Sequence, residues 1–210
     1  MFKLLLQISF LIYIVLIISN LRELKNYNKN GYIFKCDDVK DISSKLIDLN
    51  PLYFKTEYNY NQNINDIEDC FKDKQPLKDI FYDYNHIKQN MNDNLLFYNE
   101  SITSYKTKKS SDLILCTHNY NILSILFGEC KVYLINPKHK NDIIGKENIE
   151  IKKWSHIKKL EKYDNICIPT NWYYFIESND KLVIHHLDID NYFTIIPNFL
   201  KERFRLSMST

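Results

Sequence analysis

The chain has 210 residues, with 28 Lys plus Arg, 26 Asp plus Glu and a formal net charge of +2. That length holds one domain with a sizeable core but not two full ones, and the near-neutral charge excludes an electrostatic case for nucleic-acid binding. Alanine is absent and only 3 glycines occur, so Walker, Rossmann and nucleophile-elbow loops are excluded, and the wealth of Asn, Ile, Lys and Tyr reads as AT-rich coding.

Residues 4–19, LLLQISFLIYIVLIIS, carry no charge and with Met1 and Phe2 just reach the length of a bilayer-spanning helix. Ser19-Asn20-Leu21-Arg22 is a poor cleavage site. The expectation is therefore an uncleaved transmembrane anchor over 1–20, making a single-pass membrane protein whose lipid partner is the bilayer. Arg22, Lys25 and Lys29 after the segment lean towards a cytoplasmic C-terminal domain. Residues 21–31 read as a polar juxtamembrane stalk, and residues 32–94 as an α/β extension that packs on a barrel. Within it GYIFKC suggests a strand, DDVKDISSKLIDL a capped helix, PLYFKTEYNY an extended segment and PLKDIFYDYNHI a helical piece.

From residue 95 short apolar runs recur at strand length: LLFYN, DLILCTHNYNILSILFG, CKVYLINP, NICIP, WYYFIES and KLVIHHLDI. Gly128, Asn136-Pro137, Pro169-Thr-Asn and Ser178-Asn-Asp-Lys punctuate them. The pattern predicts an antiparallel sandwich or barrel over 95–210, closed by a helix in YFTIIPNFLKERFR that Pro197 starts or breaks. Five cysteines (Cys36, Cys70, Cys116, Cys130, Cys167) without a CxxC pair indicate neither a zinc site nor a dense disulfide frame. Cys116, Cys130 and Cys167 lie in apolar runs and read as small core residues.

Three segments in order carry a family resemblance: CTHNYNILSILFGECKVYLINPKH (116–139), WSHIKKLEKYDNICIPTNWYYFIES (154–178) and LVIHHLDIDNYFTIIPNFL (182–200). They resemble the cupin-like JmjC domains of the Fe(II)/2-oxoglutarate oxygenase superfamily, in the divergent form found in giant DNA viruses. The resemblance covers about 100 residues and implies a mainly β fold, a double-stranded β-helix with flanking helices. It also implies a viral or virus-derived internal membrane for the anchor.

Active members of that family hold Fe(II) with two histidines and a carboxylate, leaving positions for 2-oxoglutarate and oxygen. By the resemblance His118 takes the first ligand position, but Tyr120 stands at i+2 where a carboxylate belongs. Tyr174, two residues beyond Trp172, stands where the distal histidine belongs. The metal triad is thus degraded, and the expected function is a binding or structural module with no cofactor, engaging a protein or small-molecule ligand. Its pocket candidates are His118, Tyr120, Lys131, Trp172 and Tyr174. The alternative is an active Fe(II)/2-oxoglutarate hydroxylase with a non-standard triad of His118, His186 and Asp188, since His186-x-Asp188 puts both side chains on one strand face. Against it stands a plain edge strand, solvated, with His185 and His186 facing opposite ways. Lys131 is either a partner of a ligand carboxylate or a surface lysine. Tyr133, Tyr173 and Phe175 read as packed aromatics, and His139 and His156 as residues of polar turns.

Overall fold

The computed structural model describes residues 6–15, 33–37, 49–56, 97–105, 109–191 and 194–195. Eleven strands are described: β1 (Phe34–Cys36), β2 (Leu52–Lys55), β3 (Phe97–Tyr105), β4 (Lys109–Ser110), β5 (Ile114–Leu115) and β6 (Tyr120–Phe127), followed by β7 (Glu129–Ile135), β8 (Ser155–Glu161), β9 (Asp164–Pro169), β10 (Tyr173–Ser178) and β11 (Leu182–Asp190). They form two sheets, one ordered β1-β2-β9-β6-β11-β3 and the other β4-β10-β7-β8, with β5 also on β10.

From β3 onwards the pairing is nested. The first strand pairs with the last, β3 with β11. The short β4 and β5 both pair with β10, β6 pairs with β9, and β7 pairs with β8. With β4 and β5 sharing one position, strand n of eight meets strand 9−n, which is the double-stranded β-helix of a jelly roll. The strands of β1 and β2 extend the first sheet beyond β9.

Side chains alternate across each strand, so every second residue enters the interior. The first sheet sends in Tyr53, Leu123, Ile125, Ile166, Ile168, Leu182 and Ile184; the second sends in Cys130, Val132, Leu134, Leu160, Tyr174 and Ile176. On the outer face of the second sheet Tyr133, Ile135 and Phe175 form a smaller core with Ile143 and Ile151. Those last two come from the β7–β8 connection, which folds as short helical turns at Pro137–His139, Lys140–Ile143, Asn148–Ile151 and Lys152–Trp154. The aromatic pair Tyr133–Phe175 stacks with centroids 4.5 Å apart, packed as the sequence suggests.

One buried polar contact locks β2 onto the β8–β9 turn. The Tyr53 hydroxyl donates to Asp164 Oδ1 at 2.8 Å, and the Glu161 backbone N–H donates to Asp164 Oδ2 at 2.9 Å. Burial and this carboxylate push the Tyr53 phenol up to about 12. Because the folded state holds that proton more tightly than an unfolded chain, with its ordinary value of 10.0, stability falls as pH rises from about 10 towards 12. Tyr53→Phe is expected to lose about 1.5–3 kcal/mol at neutral pH, the range for a hydrogen bond to a charged group. It should also flatten this alkaline decline, which urea midpoints measured between pH 8 and 11 would read out.

Two expectations change here. Residues 6–15 are helical and mostly exposed. Among the described residues no helix is long and apolar enough to cross a membrane, which overturns the single-pass membrane reading. β11 is also not an edge: it lies between β6 and β3, so His185 is buried rather than solvated. The stalk at 21–31, most of the 32–94 extension, Cys70 and the closing helix around Pro197 fall outside the described residues.

Candidate functional site

The chain between β5 and β6 turns at His118 and Asn119, and the Pro169-Thr170-Asn171 turn holds it in place. Thr170 N–H donates to Asn119 O at 3.0 Å, Asn171 N–H to Cys116 O at 2.8 Å, and Cys116 N–H to Trp172 O at 2.9 Å. Asn171 takes a positive φ of 68°, a conformation asparagine tolerates better than most residues. Trp172 is fully buried and its indole N–H donates to Leu49 O at 3.0 Å. This backbone clamp fixes where His118 begins.

His118 then reaches the end of β11. Its Nδ1 lies 2.8 Å from Asp190 Oδ2 and its Nε2 lies 3.6 Å from Asp188 Oδ2. Asp188 and Asp190 are two residues apart and share the interior face. Asn121, opposite Asp188 in the β6–β11 ladder, donates its side-chain amide to Asp188 Oδ1. The result is an imidazole between two partly buried carboxylates, one of them braced by an amide.

His186 occupies the same face of β11, across from Leu123. Its Nε2 and the Asn121 Oδ1 are buried atoms that meet no hydrogen-bond partner. Burial pulls the His186 imidazole down to about 4, so it is neutral at pH 7. Tyr174 stands on the interior face of β10 and is 3% exposed; burial, then the nearby Cys116 and Asp188, push its phenol far above 10.0. Cys116 is itself buried, and burial raises its thiol well above the usual value.

The other sequence candidates lie elsewhere. Because β6 starts at Tyr120, His118 precedes the strand and the i, i+2 rule does not join the two. Tyr120 faces away from the interior, on the side opposite Asn121, and burial raises its phenol. Lys131 is exposed on the outer face of β7, opposite Glu177 in the ladder. His156 is a β8 residue rather than part of a turn, and His139 sits in a helical turn, 3.2 Å from Asp142. An open groove of about 510 Å³ borders Ser110, Asp112, Lys146, Asn148, Lys152 and Glu177, and none of the predicted site residues lines it.

Among the described residues no three His, Cys, Asp or Glu side chains stand as a group that could hold a metal ion. The residue missed in the sequence is Asp190. The only available signal was the Asp-Ile-Asp spacing of 188–190, which puts two carboxylates on one strand face.

No family model matches the sequence, and no curated protein matches it. Solved structures that match in part include the CENP-C domain of Drosophila melanogaster bound to CAL1, at 18% identity, covering 44% of this chain and 62% of that one, with a TM-score of 0.30. A cupin superfamily protein of Desulfitobacterium hafniense matches at 11% identity, covering 47% and 80%, TM-score 0.33. Hydroquinone 1,2-dioxygenase of Sphingomonas sp. TTNP3 matches at 12% identity, covering 45% and 60%, TM-score 0.34. The chain thus spans 62% of the length of the first of these, and scores this low add nothing to what the strand pairing establishes: a mainly β, double-stranded β-helix domain.

Proposed function

We propose that this domain is a binding module whose contact centre is the polar cluster at the end of β11, and that it does not run the standard Fe(II)/2-oxoglutarate reaction. The observation that carries this reading is the position of Tyr174. Its ring fills the interior where the resemblance puts a distal histidine, and its phenol holds its proton at neutral pH, so it is a poor partner for Fe(II). Tyr120, at the expected carboxylate position, points to the other side of the sheet. His118 alone remains of the three family positions, and a single imidazole does not make a facial triad. What the cluster offers is a set of acceptors, Asp188, Asp190 and the Asn121 carbonyl oxygen, suited to a cationic or hydrogen-bond-donating group on a protein or small molecule.

A specific observation favours a second reading. Asp188 lies 3.6 Å from His118, as an enzyme with a displaced triad would require. Succinate formation decides between the two. Purified protein supplied with Fe(II), 2-oxoglutarate, ascorbate and oxygen is expected to release no succinate above a protein-free control. Stoichiometric iron together with sustained succinate release would overturn the binding-module reading.

A further inference from the structure

β8 ends the second sheet. It pairs with β7 on one side, and among the described residues no strand pairs with its other edge. A strand so placed presents a row of backbone N–H and C=O groups to any chain that can lie beside it. Its side chains alternate. Leu160 belongs to the interior cluster, so His156 and Lys158 share the inner face, while Ser155, Ile157 and Lys159 take the outer one.

Two features indicate what kind of chain fits this edge. The first is charge. Residues 138–162 hold eight lysines against four carboxylates, so the stretch is more positive than the whole chain at +2. Burial, then Lys138 and His139, lower the His156 imidazole, the sign of a positive field at the start of β8. Lys153 and Lys146 stand 4.1 Å and 4.5 Å from the Trp154 ring centre, and Lys158 stands 3.5 Å from that of Tyr53. Lys159 meets Glu129 at 2.6 Å, but both side chains are exposed, and such a pair is weak enough to exchange. The second feature is Ile157, 56% exposed in the middle of the strand and across from Tyr133 in the ladder. Lysines alone are a usual guard on an open edge; an exposed isoleucine beside them undoes that guard and suits an apolar side chain on a neighbour.

We propose that β8 accepts an extended acidic segment of another protein as an added strand, with carboxylates beside Lys158 and Lys159 and an apolar side chain beside Ile157. A second copy of this chain fits poorly. Two β8 strands joined antiparallel along their middle set Lys158 or Lys159 against itself or against the other, and like charges across a ladder destabilise it. Backbone hydrogen bonds supply the adhesion in strand addition, and the side chains beside them supply the selection. The surface lies on the second sheet, apart from the β11 cluster, and stands whether or not that cluster holds a ligand.

The probe is a fluorescein-labelled, end-capped peptide, Thr-Thr-Val-Glu-Glu-Val-Thr-Thr, which presents the same pattern in either strand direction. Anisotropy titration with the full-length protein is expected to show saturable binding of one peptide per chain, weakened by added salt. The double variant Lys158→Glu, Lys159→Glu should bind at least about 10-fold more weakly, and Ile157→Thr about 3-fold more weakly. Both variants change side chains that are at least partly exposed, and far-UV circular dichroism checks that each is folded. A peptide with lysines in place of the two glutamates should not bind. Hydrogen exchange supplies the readout of strand addition: amides within 155–161 should slow when the peptide binds. No binding of the glutamate peptide, or equal binding of the lysine peptide, would overturn the proposal. Binding that leaves exchange in 155–161 unchanged, or that a short DNA duplex competes for as well as unlabelled peptide does, would reduce the edge to a basic patch and overturn it equally. Unchanged affinity in Ile157→Thr would overturn the apolar contact.

Discussion

Trp172→Ala is expected to lower the stability of the domain by about 3–5 kcal/mol, the usual cost of emptying a large buried aromatic site. Trp172 is 0% exposed and lies in the interior cluster with Cys116, Ile168 and Tyr174. It also carries a polar anchor, the indole N–H to Leu49 O, which ties the segment before β2 to the barrel. Trp172→Phe separates the two effects. It keeps most of the apolar volume and leaves the Leu49 carbonyl unmet, so it should cost only about 1–3 kcal/mol. Urea unfolding followed by far-UV circular dichroism measures both. A loss below about 1 kcal/mol for Trp172→Ala would mean that the interior collapses around the gap, and the clamp on His118 would then need another anchor.

The second large effect is expected at Gly128, between β6 and β7. Its φ is +83°, and a Cβ built there would lie 2.2 Å from the Lys181 carbonyl oxygen and 3.2 Å from the Leu182 Cα. Both neighbours are backbone at the start of β11, so no side chain can swing aside. Gly128→Ala therefore combines a left-handed conformation, about 1–2 kcal/mol for an L-residue, with a clash that moves a central strand, about 1–3 kcal/mol more. Gly145 is the control. It has a similar φ of +75° with nothing within 4 Å of a built Cβ, so Gly145→Ala should cost only about 1 kcal/mol. Equal losses at the two glycines would show that backbone conformation, not the contact with β11, sets the requirement at Gly128.

Much of the barrel is legible in the sequence because its strands are buried on one or both faces. CKVYLINP, NICIP, WYYFIES and KLVIHHLDI correspond to β7, β9, β10 and β11, while LLFYN meets only the first three residues of β3. Two strands are left unread, the two-residue β4 and β8, SHIKKLE. β8 is an edge strand with a burial pattern in which only Leu160 is fully inside, so it lacks the apolar run that marks its neighbours. The long run DLILCTHNYNILSILFG hides a break. It forms two strands in two different sheets, β5 and β6, separated by the turn at His118.

The N-terminal segment shows the opposite error, since an uncharged apolar run satisfies a composition rule without fixing how long a helix it forms. The candidate site was legible only in parts. His118, His186 and Asp188 stand out as residue types, but His118 meets Asp190 across a separation of 72 positions in the chain. No local spacing encodes a contact of that range. Tyr120 was misplaced by one assumption, that His118 already belongs to the strand. The strand begins two residues later, and the bend at His118 and Asn119 breaks the alternation that would have put both side chains on one face.

The nested pairing also orders how the barrel can assemble. β7 and β8 are joined by a 19-residue connection, whereas β3 and β11 are separated by most of the domain. Loop closure costs more for longer loops, though slowly, so the central hairpin is the least costly contact to make first. Once it forms, β6 and β9 are brought close, then β10 gains β4 and β5, and β3 meets β11 last. Each ring of contacts shortens the search for the next, like a zip drawn from the middle of the chain outwards. Since β11 both completes this sequence and carries Asp188 and Asp190, the polar cluster comes together only when the barrel closes.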